Sequence, residues 1–121
     1  MNKIKLLNQI YLSPKLCRDI IYHFDKTEMS PARLTREVFH KIMMKYHVDL
    51  CPTLLFEFFD TVGIKVAIIP VGKTEFWSSR IYQDESTSVS NDYISRNEAT
   101  LGALELVIHI YNNKYQDENK E

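Results

Sequence analysis

Apolar residues recur along the chain at two different spacings, and the change of period divides it. From Ala99 the helical spacing places Gly102, Ala103, Leu106, Val107 and Ile110 on one stripe and Leu101, Leu104, Ile108 and Tyr111 on the opposite one. Only Glu105, His109 and Asn112 keep a narrow polar strip. A helix apolar over most of its circumference has to be covered on two sides. Ser95 followed three residues later by Glu98 is a capping box, so this pattern predicts a helix from Ser95 to about Asn113.

Upstream, Ile4, Leu7 and Ile10 mark a short helix over 2–12. Ser13-Pro14 reads as a cap followed by proline in the first turn, and opens a helix to about Phe24 whose inner face is Leu16, Cys17, Ile20, Ile21 and Phe24. Ser30-Pro31 repeats the signal and predicts a third helix to about His47, buried through Leu34, Val38, Phe39, Ile42 and Tyr46. Beyond Pro52 the period shortens. Residues 54–59 and 64–69 read as two strands joined at Asp60-Thr61-Val62-Gly63, with a helix ending at Gly63 as the competing reading of the first run. A turn at 71–74 leads to a strand over 75–82, with Trp77 and Ile81 on one face and Phe76 and Tyr82 on the other. These strands are apolar on both sides, which predicts a covering layer on each. Residues 83–94, rich in Ser, Asp and Asn, read as a long polar connector, and 114–121 as a frayed polar tail.

The expected fold is α+β: N-terminal helices followed by an α-β-β-β-α unit, with a small antiparallel meander packed by helices in one domain over 1–113. The third and last helices are expected on one face of the meander. A second subunit would cover the other face if the N-terminal helices do not, so a homodimer is one expectation.

Composition is that of an ordinary globular protein, with a net charge of −1 that is unevenly spread. Residues 1–50 hold nine Lys/Arg against five Asp/Glu, and residues 51–121 hold six against eleven. The basic excess gathers on the third helix, where Arg33, Arg36, His40 and Lys41 form a candidate binding surface for phosphates or an acidic protein. Tyr82, Asp84, Glu85 and Tyr93, on and around the polar connector, form a second candidate surface, because tyrosine supplies contact area at low entropic cost. No apolar run approaches the roughly 20 residues of a membrane span, and Met1 to Leu12 lacks a secretory signal pattern, so a cytoplasmic location is expected.

Catalytic chemistry finds little support in the residue pattern. His40, His47 and Asp49 are spaced too widely for a helical chelate, Cys51 with His47 lacks an orienting third group, and the three glycines form no phosphate loop. The expectation is therefore no cofactor, no metal and no enzyme, with a small hydrolase or metal protein using Cys51 and His47 as an alternative.

The α-β-β-β-α order resembles the double-stranded-RNA-binding domain, but Ser95-Arg96-Asn97-Glu98 and Asp60-Thr61-Val62-Gly63 replace that family's lysine-rich helix start and Gly-Pro-x-His turn. The segments Val38-Phe39-His40-Lys41-Ile42-Met43-Met44-Lys45-Tyr46-His47-Val48 and Tyr93-Ile94-Ser95-Arg96-Asn97-Glu98-Ala99, with Trp77 between them, are similar to short uncharacterised proteins of Bacteroidetes phages and prophages. Phe39 and His47 stand where those proteins often carry tryptophan and glycine. The resemblance covers 31–113 and implies a mobile-element origin, for which small inhibitors of host defence are a common occupation. It carries no site residues. The functional expectation is a non-enzymatic, phage-borne inhibitor that binds a host nuclease-type defence complex, such as an RNA-guided effector, one to one. Its partner would be a host protein or protein–RNA complex. An RNA-binding module using helix 31–47 is the alternative.

Overall fold

The computed structural model describes residues 2–84 and 86–115. Asn2 starts α1 (Lys3–Tyr11) by accepting the Lys5 N–H at 2.9 Å, and the helix buries Leu6, Leu7 and Ile10. Pro14 opens α2 (Pro14–Asp25), which buries Leu16, Cys17, Ile20 and Ile21 and ends at Lys26 in the left-handed region. Ser13 flanks that start, but its hydroxyl does not cap α2. It donates to the Gln9 carbonyl at 2.8 Å. Burial pushes the Cys17 thiol up to about 12.

The third helix begins later than the Ser-Pro signal predicts. Ser30 starts only a turn, its carbonyl accepting the Arg33 and Leu34 N–H groups at 3.1 Å. Thr35 is the cap, accepting the Val38 N–H at 3.2 Å, and α3 runs Arg36–Lys45 with Phe39 and Met43 fully buried. Ser-Pro and Thr-Arg-Glu are both valid start signals, and the chain uses the second, whose threonine hydroxyl makes the capping bond. The end of α3 is a Schellman closure: His47 N–H to the Met44 carbonyl at 3.1 Å and Val48 N–H to the Met43 carbonyl at 2.8 Å, with His47 left-handed at φ 63°. The Asp25 carboxylate joins α2 to α3 by accepting from Thr27, Tyr46 and Lys45, and these bonds hold it down to about 2.

The expected strand at 54–59 is a helix. A 3-10 turn over Pro52–Leu54 leads into α4 (Leu55–Thr61), which buries Leu55, Phe58 and Phe59 at i, i+3 and i+4. Gly63, at φ 84°, ends the helix, so the competing reading of this run is the correct one. Three antiparallel strands follow in the order β1-β2-β3: β1 (Ile64–Pro70), β2 (Trp77–Gln83) and β3 (Ser86–Tyr93). The meander is thus present but one element later than expected, and its last strand lies where a polar connector is expected. Gln83 pairs with Ser86, so only two residues connect β2 to β3. A bulge interrupts that ladder between Trp77 and Ser79.

The last helix, α5 (Arg96–Lys114), starts as the sequence requires, with Ser95 accepting the Glu98 N–H at 3.1 Å. One side packs on all three strands and the other on α1, α2 and α4, which is the two-sided burial its pattern demands. The Tyr111 hydroxyl crosses to α2 and donates to the Asp19 carboxylate. Contrary to expectation, α3 does not share the sheet face with α5; it packs on α1 and α2. The expected tail, 114–121, lies outside the described residues beyond Tyr115.

Candidate binding surfaces

The four basic residues expected to act together do not form one free patch. Arg33 sits on the turn ahead of α3, exposed. Arg36 is a tether: its guanidinium donates to the Asn8 side-chain oxygen at 2.6 Å and lies 4.9 Å from the Tyr11 ring centre, fastening α3 to α1. His40 is half-buried, edge-on to Phe39 at 5.6 Å. Lys41 is exposed. The surface is thus reduced to Arg33 and Lys41, because a guanidinium already bonded and stacked within the fold has less to give a partner.

Nor do the two tyrosines of the second candidate surface meet. Tyr82, on β2, faces away from α5, whereas Tyr93, at the end of β3, lies against it. The bulge opposite Ser78 sets the inward direction of Tyr93. Asp84 forms the hairpin turn at φ 49°, exposed, and Glu85 lies outside the described residues.

Strand pairing assembles one further surface, the outer side of the sheet. Register aligns Lys65, Tyr82 and Thr87 in one row and Ala67, Arg80 and Val89 in the next, with Phe76 where the chain enters β2. Tyr82 and Phe76 are each 41% exposed and Val89 54%. The inferred pairing of Phe76 with Tyr82 on one face, against Trp77 and Ile81 on the other, matches these exposures. These exposures leave this side without a packed layer among the described residues, contrary to the expected layer on each face; the helices packed closely on the sheet are α5 and, beside β1, α4. Among the described residues the face has two cations, Lys65 and Arg80, and Lys65 forms an exposed ion pair with Asp60 at 3.8 Å. Period-two alternation through 76–82 was the available signal for Arg80. Val89 could not be found without the third strand.

A cleft of about 640 Å³ opens between α5 and the α1–α2 corner, with the end of β3 at its side. The polar strip of α5, Glu105, His109 and Asn112, lines it together with Leu106 and Gly102. Across it stand Gln9, Leu12 and Ser13, and at the side Ser90 and Tyr93. Asn112 donates to the Ser13 hydroxyl at 2.7 Å, and Ser13 in turn holds the Gln9 carbonyl, so one chain of bonds ties the corner to α5. Ser90 donates to the Tyr93 hydroxyl at 3.1 Å. The phenol rests on the helix where Gly102 has no side chain: a Cβ there would lie 2.6 Å from Cζ and 2.7 Å from Cε1 of Tyr93 and would also collide with its oxygen. Asn113 approaches the His109 ring at 3.2 Å.

His47, considered for metal or thiol chemistry, is the left-handed residue that closes α3, and it meets Cys51 through its backbone carbonyl at 2.9 Å. The Cys51 thiol is 3.1 Å from the Thr53 hydroxyl. Among the described residues no group of three or more His, Cys, Asp or Glu is placed to hold a metal ion, and no helix is long and apolar enough to cross a membrane. No family model matches the chain, and no curated protein or solved structure matches it.

Proposed function

We propose that this protein is a non-enzymatic binding protein that occupies a partner protein one to one, docking through the outer face of its sheet. The observation that carries the reading is the exposure of Arg80 and Tyr82 in adjacent rows, with Phe76 and Val89, on a side without a packed layer among the described residues. Tyrosine and arginine dominate binding energy at protein interfaces, and an apolar patch with a few cations is the usual form of such a surface. Lys65 and Arg80 are its charges, so the fitting partner presents carboxylates. A second copy fits less well, since an isologous contact through this patch would bring Lys65 and Arg80 of both copies into one interface. The resemblance to phage accessory proteins makes a host nuclease-type defence complex, such as an RNA-guided effector, the first partner to test.

The test uses purified defence complexes and the full chain, measuring binding and nuclease inhibition. Arg80→Glu with Tyr82→Ala is expected to abolish both at unchanged fold, while Arg33→Glu with Lys41→Glu leaves them intact. The opposite result would reject the sheet face. A second reading, an RNA-binding module, is supported by the exposure of Arg33 and Lys41. It requires RNA retention that falls steeply with salt and disappears in the Arg33/Lys41 variant.

A further inference from the structure

We propose that the cleft between α5 and the α1–α2 corner is a receptor for a cationic head on an apolar stem, the chemistry of an arginine or lysine side chain. This goes beyond the sheet-face reading and uses other residues. Volume is the first argument: about 640 Å³ lies within the range of roughly 300–1,000 Å³ typical of small-ligand sites. Charge is the second. Glu105 is the one carboxylate on the lining and no lysine or arginine lies there. It is exposed at the wall and makes no ion pair or hydrogen bond among the described residues. A carboxylate in this position is matched by a guanidinium, which bonds it through two parallel N–H groups, or by an ammonium.

The stem is the third argument. Leu12 is 68% exposed on one wall and Leu106 is half-buried on the other, so a chain of methylenes would cover apolar surface while its head reaches Glu105. Hydrogen bonds within the chain hold the frame. The Asn112–Ser13–Gln9 bonds fix the distance between the walls, and the seat of Tyr93 on Gly102, with its bond to Ser90, fixes the side. A frame already in place lowers the ordering cost of binding. The Tyr93 hydroxyl oxygen, bonded to Ser90 through one lone pair, is a second acceptor at the site.

The experiment titrates the full chain, labelled with nitrogen-15, with N-acetyl-arginine N-methylamide. Its neutral isostere, the citrulline derivative, and free 1,4-diaminobutane are the comparisons. Amide shifts are expected at Leu12, Tyr93, Gly102, Glu105 and His109, with a Kd of about 1 mM, the order expected for a single side chain. The citrulline derivative and the Glu105→Gln variant should each bind at least about tenfold more weakly. Glu105 is exposed, so the variant keeps its fold, and its spectrum away from the cleft verifies this. Tighter binding of the blocked arginine than of the diamine assigns the head to a partner's side chain; the reverse assigns it to a free amine. Equal binding of the citrulline derivative, shifts on the sheet face instead, or none at all at about 20 mM, well above the expected Kd, would overturn the proposal. The Arg80→Glu, Tyr82→Ala variant should bind the probe normally, which separates failure here from failure of the sheet-face reading.

Discussion

Gly102→Ala places a methyl group into the ring of Tyr93, and the sign of its effect depends on that one neighbour. Alanine is favoured over glycine in a helix interior by about 1 kcal/mol, so helix propensity alone predicts stabilisation. The new Cβ would stand 2.6 and 2.7 Å from two ring carbons, however, well inside ordinary contact. Tyr93 must lift off α5. The bond from Ser90 is then lost, at about 1 kcal/mol, together with part of the half-buried ring's apolar contact, roughly another 1 kcal/mol. The balance is a net destabilisation of about 1 kcal/mol, a fall in Tm of roughly 4 °C for a chain of this size. In a Tyr93→Ala background the obstruction is gone and the same substitution should stabilise by about 1 kcal/mol. Urea denaturation of the four proteins measures the cycle, with an expected coupling of about 2 kcal/mol. If Gly102→Ala has the same sign in both backgrounds, with coupling under about 0.5 kcal/mol, Tyr93 is not seated on Gly102 and the cleft lacks its fixed side.

Two further predictions concern the joints around α3. The Asp25 carboxylate is held down from 3.8 to about 2 by bonds from Thr27, Tyr46 and Lys45. Its folded value is the lower one, so its contribution is complete above about pH 4 and is lost as pH falls through about 2. Asp25→Asn should flatten the dependence of stability on pH across that window, measured by denaturation at each pH, and an unchanged slope would contradict the assignment. His47 occupies a left-handed position that glycine adopts without penalty, so His47→Gly should raise unfolding free energy by roughly 0.5–1 kcal/mol in the same assay. A loss of stability would instead show that the side chain itself contributes.

Much of this molecule follows from local rules. The start of α2 at Pro14, the Ser95 cap of α5 and the need to cover α5 on both sides all rest on residues within a few turns of one another. At these three places the structure honours such local terms, whereas at Ser30-Pro31 the same kind of signal yields only a turn. The residues of α4 were ambiguous because a run of six apolar-rich positions fits a strand or a helix equally well. The choice was made by where Leu55, Phe58 and Phe59 find the core. Strand β3 was not legible, since Ser86 to Asp92 has little intrinsic preference for extended structure and is held by its ladder to β2.

The candidate surfaces divide in the same way. That Arg33, Arg36, His40 and Lys41 cluster in the chain was plain, but only packing shows that Arg36 is bonded to Asn8 and that His40 turns toward Phe39. The polar strip of α5 was visible as a strip, and it becomes a cleft wall because the α1–α2 corner stands opposite. Composition and periodicity thus determined an α+β chain with a doubly buried closing helix, through forces that act between near neighbours. Tertiary structure alone decided which sheet face stays bare and that Tyr82 and Tyr93 point apart. It also decided that Glu105 faces a cleft, because each of these depends on pairing and packing between residues distant in the chain.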